Sequence, residues 1–163
     1  MDTNPKIDVV IPVYRPGKEF HKLLDLLDRQ TVPVRTVWIM HTEDGRELPS
    51  GESYGFRLMT EKLLPEEYDH GGTRDRAVRK SDADIVICMT QDALPCDGTL
   101  VENLIRPLEK DQVAVSYARQ MPRTECRLLE RYTRSFNYPA ASRLKSAADL
   151  EILGIKTYFC SNV

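Results

Sequence analysis

The sequence predicts an α/β fold in which a mostly parallel sheet carries helices on both faces. Short apolar runs rich in β-branched residues are typical of buried parallel strands. Between them lies at least one amphipathic segment whose apolar residues recur at helical spacing. Polar, loop-like stretches follow the apolar runs. Since ligands bind outside the carboxyl ends of parallel strands, any functional site is expected in these polar stretches.

The first half of the chain alternates strand and helix. Ile7–Val13 is predicted as the first strand because an apolar run ends there at a turn, Arg15–Gly17. Lys18–Gln30 is predicted as an amphipathic helix. Val34–Met40 and, more weakly, Phe56–Leu64 are predicted as the next two strands.

The second half continues this alternation. His70–Thr73 is expected to open a basic helix capped by Thr73 or a nearby residue, and Ala83–Met89 is the clearest strand. Asp97 is expected to cap a helix that reaches Leu108. The last predicted elements are a strand at Val113–Tyr117, a helix at Glu125–Phe136 and a helical turn at Ala147–Leu153.

Length and composition are those of one globular domain. The 163 residues, 41% of them hydrophobic and 29% charged, are enough for a core without disulfide or metal support. A single domain over residues 1–163 is therefore expected. The apolar finish Thr157–Cys160 has no closing helix after it, so we expect a C-terminal truncation.

Charge and apolar patterning exclude several classes of partner. A formal net charge of −2 gives no electrostatic reason to expect nucleic acid. No window reaches the roughly 18 apolar residues of a membrane span, and the start lacks a leader pattern, so a cytoplasmic protein without membrane insertion is expected. The four cysteines include no CxxC pair and are expected to be reduced and mostly buried.

Asp92 follows the clearest predicted strand and is the candidate metal ligand. Mg²⁺ and Mn²⁺ prefer oxygen ligands and often take one carboxylate together with water and substrate phosphate oxygens. Thr90 and Gln91 stand beside it. An equally acceptable interpretation is that Asp92 only stabilises a turn before Pro95.

Arg74 is the candidate anion-binding residue. It directly follows the two glycines and the threonine of HGGTR. Free backbone amides and a guanidinium at such a position can bind an anion. The alternative is a solvated basic helix face, since Arg79 and Lys80 continue the positive charge.

The ends of the first two strands supply candidate nucleotide contacts. Tyr14, two residues after Pro12, could stack on a base, although a lone tyrosine is more often a packing residue. Thr42, Glu43 and Asp44 could accept hydrogen bonds from a base or ribose, although loop carboxylates are usually solvated. Triad, zinc, phosphate-loop and dinucleotide signatures are absent.

Four segments taken in order, IDVVIPVYRPG, VWIMHTEDG, HGGTRDRAV and ADIVICMTQDALPCD, resemble the successive signatures of family 2 glycosyltransferases. HGGTR followed 16 residues after its arginine by TQDALP is similar to the rhamnosyltransferase-like branch. The resemblance covers Ile7 to Val163. It implies the Rossmann-like GT-A fold of nucleotide-diphospho-sugar transferases.

This resemblance assigns roles to the candidates. It implies that Pro12 and Tyr14 line the base pocket, that Thr42, Glu43 or Asp44 contacts base or ribose, that Arg74 lies by the diphosphate, and that Asp92 holds the metal. Thr90 stands where relatives have the first aspartate of an aspartate-x-aspartate motif, so Gln91 could replace that contact. Asp75 stands where asparagine is frequent.

The implied reaction is an inverting displacement at the anomeric carbon of a nucleoside diphosphate sugar, with dTDP-rhamnose first and a UDP-sugar second as donor. The resemblance places the general base beyond Val163, so this chain alone is expected to bind nucleotide and metal but to transfer sugar poorly. The implied acceptor is a glycan or lipid-linked glycan, which would bring the full-length enzyme to the inner membrane face. A non-catalytic nucleotide-sugar-binding module and a generic phosphate-binding α/β domain are the alternatives.

Overall fold

The computed structural model of the chain describes residues 5–49, 53–123, 126–138 and 140–154. The chain divides into two compact units, Met1–Gln112 and Val113–Val163. The first unit contains the sheet and the candidate site. Because each unit is described separately, a single domain over 1–163 stays a prediction, and the expected apolar finish at 157–160 lies outside the described residues.

The first unit is built on a four-stranded sheet with every neighbouring pair parallel, in the order β3-β2-β1-β4. The strands are β1 at Ile7–Val13, β2 at Thr36–Thr42, β3 at Arg57–Leu63 and β4 at Ile85–Cys88. The central strand β1 is buried at every position, as its unbroken apolar run predicts. The predicted α/β class with a parallel sheet is confirmed.

The helices of this unit are α1 at Lys18–Asp28, α2 at His70–Val78 and α3 at Leu100–Ile105, with short 3₁₀ turns at Pro65–Glu67 and Arg106–Glu109. Helix α2 begins at His70 because the preceding Asp69 accepts a hydrogen bond from the backbone N–H of Gly72. The helix expected after Asp97 is shorter than predicted. Asp97 instead accepts hydrogen bonds from the backbone N–H and the hydroxyl of Thr99.

Alternate residues of the strands enter two cores on opposite faces of the sheet. Val9 and Ile39 pack with α1 and with Val101 of α3. On the other face, Val10 and Met40 pack with Ala77 of α2. The expected helices on both faces are therefore present. β3 lies at one sheet edge and buries only Leu63, which explains why its sequence pattern is weak.

A buried carboxylate joins three strands near their amino ends. The Asp8 side chain is 0% exposed and accepts two hydrogen bonds from Arg35, at 2.9 and 2.8 Å. It also accepts one from the Trp38 indole at 3.0 Å and one from the Ser81 hydroxyl at 2.6 Å. Arg35 pairs in addition with the exposed Asp82 at 2.7 Å. This network satisfies a charge that would otherwise be costly to bury.

The second unit contains α4 at Leu128–Asn137 and α5 at Leu150–Leu153, with a 3₁₀ turn at Ala147–Asp149. The strand predicted at Val113–Tyr117 is wrong, because residues 113–123 form no strand in the part of the chain that the structure describes. A largely apolar run of five residues needs a neighbouring strand to pair with, and this unit supplies none among its described residues. Val115 is accordingly 78% exposed.

The expectation that the cysteines are mostly buried is also wrong for the described residues. Cys88 and Cys96 are exposed and Cys126 is half-buried. Cys88 ends β4, which is an edge strand, and Cys96 lies in the turn region that follows it. An edge position leaves one side of a strand open to solvent. Cys160 lies outside the described residues.

Candidate functional site

The candidate residues gather at the carboxyl edge of the sheet. Since all four strands are parallel, Tyr14 after β1, Asp44 after β2 and Gln91 after β4 follow strand ends that lie on the same edge. The chain runs from β1 outward to β2 and β3, then crosses through α2 to β4 on the other side of β1. Such a reversal between β1 and β4 is where parallel α/β sheets form a ligand crevice.

Gln91 ties the end of β4 to the end of β1. Its Oε1 accepts a hydrogen bond from the backbone N–H of Tyr14 at 2.8 Å, and its Nε2 donates to the Tyr14 carbonyl at 2.9 Å. The Gln91 side chain is therefore hydrogen-bonded to both the backbone N–H and the backbone carbonyl of Tyr14. These two predicted site residues are therefore in contact, and the Gln91 amide is engaged by the backbone of Tyr14.

Asp44 ties the end of β2 to the same turn. Its Oδ2 accepts a hydrogen bond from the backbone N–H of Arg15 at 2.6 Å, and its Oδ1 accepts one from the backbone N–H of Arg46 at 2.9 Å. His41 Nε2 lies 3.3 Å from Oδ1, and the Asp44 side chain is only 3% exposed. Its carboxylate is thus held among protein groups.

The pKa of Asp44 reflects these contacts. Burial alone would raise the pKa, but the hydrogen bonds from Arg46 and Arg15, with the adjacent His41, more than offset burial and lower it below the ordinary value of 3.8. Asp44 is therefore ionised at neutral pH and stabilises the turn after β1 through its negative charge.

Arg15 has a left-handed backbone conformation, with φ at 49°, which non-glycine residues adopt infrequently. Its guanidinium carbon lies 4.9 Å from the centre of the Tyr14 ring, and Tyr14 is 47% exposed. Arg46 also holds this turn by donating to the Pro16 carbonyl at 3.1 Å. Sequence reasoning missed Arg15, His41 and Arg46. An arginine before Pro-Gly gives no signal of positive φ.

An open cavity of about 330 Å³ lies at the end of β2, lined by residues 43–47 together with His41 and Lys62. Glu43 is exposed there, and its backbone N–H donates to the Leu63 carbonyl at 2.9 Å. Thr42 is buried at the last position of β2. Pro12 is buried within β1, opposite Met40. The cavity is therefore bordered by Glu43 and Asp44, whereas Thr42 and Pro12 lie within the sheet.

Arg74 lies in the second turn of α2 and is partly exposed. Its Nη1 donates to the His70 carbonyl at 2.6 Å, which holds the side chain along the start of the helix. Although Cys88 is exposed, neighbouring protein atoms partly desolvate its sulfur and raise the pKa of the thiol, and the positive charge of Arg74 opposes that rise. Arg74 therefore lies near the end of β4. The N–H of Gly72 at the helix start is already taken by Asp69.

Asp92 and Thr90 are exposed in the turn directly after β4. The described residues contain no cluster of three or more histidine, cysteine or carboxylate side chains that could hold a metal. A single exposed carboxylate still fits a divalent cation that takes its other ligands from water and phosphate oxygens. No helix among the described residues has the length and apolar character of a membrane span.

No family model matches the chain. It is 35% identical over 159 residues to the O-antigen chain rhamnosyltransferase RfbN of Salmonella typhimurium, covering 96% of this chain and 50% of that protein. It is 29% identical over 163 residues to the O-antigen chain rhamnosyltransferase WbaN of Salmonella anatum, covering 97% of this chain and 50% of that protein. The chain is homologous to O-antigen rhamnosyltransferases. It spans about half the length of these relatives.

Two solved structures are also similar to the chain. Staphylococcus aureus TarS matches with a TM-score of 0.45 and 20% identity over 60% of this chain and 18% of that one. A CMP-2-keto-3-deoxy-manno-octonic acid synthetase in complex with CTP matches with a TM-score of 0.49 and 18% identity over 67% of this chain and 49% of that one. At these values neither likeness bears on function.

Proposed function

We propose that the chain is the nucleotide-sugar-binding part of an inverting glycosyltransferase of family 2 with the GT-A fold. The homology to O-antigen rhamnosyltransferases favours rhamnose as the transferred sugar, dTDP-rhamnose as the first candidate donor and a UDP-sugar as the second. The product would be a cell-surface polysaccharide, built on a glycan or a lipid-linked glycan.

The observation that best supports donor binding is the hydrogen-bonded junction of strand ends beside the reversal between β1 and β4. Gln91 and Asp44, from the ends of two different strands, both hydrogen-bond to the backbone of the turn after β1. A crevice at the reversal point of a parallel sheet, with its rim fixed in this way, suits a nucleotide. Tyr14 is exposed on that rim and has a ring face suited to a base.

The polar groups around the crevice fit the two ends of a nucleotide sugar. Glu43 and the rest of the cavity after β2 offer acceptors for base or ribose hydroxyls and amides. Arg74, near the end of β4, would donate hydrogen bonds to diphosphate oxygens and stabilise the charge that the leaving group acquires. Because its backbone contact at His70 already orients it, little side-chain freedom would be lost on binding.

Asp92 would be the protein ligand of a Mg²⁺ or Mn²⁺ ion. When bound, such a cation would neutralise charge on the diphosphate. Asp92 is an exposed carboxylate in the turn after β4, so it can offer an oxygen ligand without a conformational change in the sheet. Thr90, also exposed, would lie beside the nucleotide.

The acceptor and the general base would be supplied outside this chain. We expect the enzyme to act in the cytoplasm, with the complete protein peripheral to the inner membrane where its acceptor is made. The chain alone would then bind donor nucleotide and show little or no transfer.

The proposal is tested by calorimetric titration of the protein with dTDP and UDP, each with Mn²⁺ and then with EDTA. We expect binding that prefers one base and weakens at least tenfold in EDTA. Binding of neither nucleotide under any condition would overturn donor binding. Equal binding with and without metal would instead favour a nucleotide site that needs no cation. Rhamnose transfer at an ordinary enzymatic rate by this chain would contradict the expected absence of the general base.

A further inference from the structure

The turn after β1 contains a cation to which neither the homology nor the sequence motifs give a role. Arg15 is exposed, and it forms no ion pair with any carboxylate in the part of the chain that the structure describes. Its guanidinium lies 4.9 Å from the centre of the Tyr14 ring, in the turn that follows β1 at the carboxyl edge of the sheet. A guanidinium placed over an aromatic face keeps its N–H donors available at its edge.

The backbone of the Tyr14–Arg15 turn is held by side-chain hydrogen bonds from the ends of two other strands. Arg15 has a φ of 49°, a conformation that costs an L-residue about 1–2 kcal/mol. Asp44, whose side chain is 3% exposed, accepts the Arg15 N–H, while Gln91 binds both backbone groups of Tyr14. A strained residue that several neighbours hold in place is a frequent feature of binding sites.

We propose that Arg15 is a phosphate-binding residue of the donor site, and that Gln91 and Asp44 are the positioning residues that hold it there. This inference rests on the proposed function, because the anion it binds is the diphosphate of the nucleotide sugar. Arg15 follows the end of β1, and Arg74 lies in α2, which precedes β4 in the chain. In the proposed site, both guanidiniums contact the same diphosphate.

The roles of Gln91 and Asp44 differ from direct nucleotide contact. The amide of Gln91 has its donor and its acceptor engaged by Tyr14, and the Asp44 carboxylate is bound to two backbone N–H groups. Their effect on a ligand is therefore exerted through the Tyr14–Arg15 turn. Loss of either side chain should therefore weaken binding less when Arg15 is absent, and any remaining loss would be transmitted through Tyr14.

The test is a double-mutant cycle on nucleoside diphosphate affinity in the presence of Mn²⁺, measured by calorimetry. Arg15→Asn removes the charge but tolerates positive φ, so the protein should fold, as a thermal melt would check. We expect Arg15→Asn to weaken dTDP or UDP binding about tenfold or more and Arg15→Lys to restore part of it. Arg29→Asn, a matched loss of charge at the far end of α1, should leave affinity unchanged.

Gln91→Ala completes the cycle. We expect it to weaken binding several-fold in the otherwise unchanged protein and to have a smaller effect when Arg15 is already asparagine. Equal losses in both backgrounds would show that Gln91 acts on the nucleotide independently of Arg15, directly or through Tyr14, and would overturn its role in positioning Arg15. If the unchanged protein binds diphosphate and Arg15→Asn binds as well as Arg29→Asn, the phosphate role is wrong. If the unchanged protein binds no nucleotide, the proposed function fails instead.

Discussion

The side-chain amide of Gln91 is hydrogen-bonded to both backbone polar groups of Tyr14, as donor at 2.9 Å and as acceptor at 2.8 Å. β1 and β4 pair through their backbones up to Val10 and Cys88. Beyond that point, the Gln91 side chain connects the two strand ends. An amide is suited to it, because a carboxylate of the same shape could accept from the N–H but would set an oxygen against the Tyr14 carbonyl.

Gln91→Glu should therefore lower the free energy of unfolding by about 1 kcal/mol, since one hydrogen bond is lost and two oxygens oppose each other at a partly exposed site. Urea denaturation followed by circular dichroism measures this change. Thr90→Ala is the control. The Thr90 side chain is exposed and adjacent in sequence to Gln91, so its loss should change the free energy of unfolding by less than about 0.5 kcal/mol. Equal stability of the two variants would show that the Gln91 contact does not hold in solution.

Asp8 is expected to be the most sensitive charged residue for folding. Asp8→Ala would leave Arg35, Trp38 and Ser81 without their shared acceptor and should destabilise the protein by about 3 kcal/mol, the lower part of the range for a broken buried pair because Arg35 is one-third exposed. Asp82→Ala removes the exposed partner of the same arginine and should cost less than about 1 kcal/mol. Urea midpoints that are equal for both would contradict the buried network.

Acid should destabilise the fold through the same network. Burial opposes ionisation of Asp8, but hydrogen bonds from Arg35, Ser81 and Trp38 lower its pKa below the ordinary 3.8. A carboxyl with a depressed folded-state pKa contributes stability that is complete above its unfolded pKa and is lost as pH falls through the folded pKa. Asp44 and Asp82 have lowered pKa values too, so their contributions change in the same direction.

Unfolding free energy should therefore fall steeply below about pH 4 and change little between about pH 5 and 7. Thermal melts across this range check it. Asp8→Asn, which cannot ionise, should show a shallower acid limb at lower overall stability. An unchanged slope in that variant would mean that Asp8 does not titrate below its unfolded-state pKa.

Most of the first unit could be predicted from the sequence, because its strands are unbroken apolar runs and its first helix has a clear apolar stripe. The strand at Ile7–Val13 was predicted to the residue for this reason. The strand expected at Val113–Tyr117 is wrong because a short apolar run does not reveal whether a partner strand exists. Periodicity is a local signal, and pairing is a tertiary one.

The gathering of the candidate residues at one edge of the sheet was predictable, because the carboxyl ends of parallel strands share that edge. Their contacts with one another were not predictable. The partners of Gln91 and Asp44 did not follow, because hydrogen bonds between residues 77 and 29 positions apart depend on strand order. The positive φ of Arg15 was equally invisible, since it results from those contacts and not from the residue type.

A substitution of Arg74 distinguishes a phosphate-binding site from a solvated basic helix surface. Arg74→Ala should weaken nucleoside diphosphate binding about tenfold, because a charge-assisted hydrogen bond to phosphate is lost. Arg79→Ala, directly after the last residue of the same helix, removes an exposed ion pair with Asp75 and should leave affinity unchanged. Calorimetry with dTDP or UDP measures both. Indistinguishable affinities for the two variants would favour the generic α/β domain.

Asp92 provides the corresponding test of the metal. If its carboxylate is a cation ligand, Asp92→Asn should reduce Mn²⁺-supported nucleotide affinity at least tenfold and leave affinity in EDTA unchanged, since only the metal-dependent part of binding is removed. The fold should persist, because the side chain is exposed. Asp25→Asn, an equally exposed carboxylate on α1, controls for the change in net charge. Loss of affinity in EDTA as well would show that Asp92 stabilises the turn before Pro95, with no direct role in holding a cation.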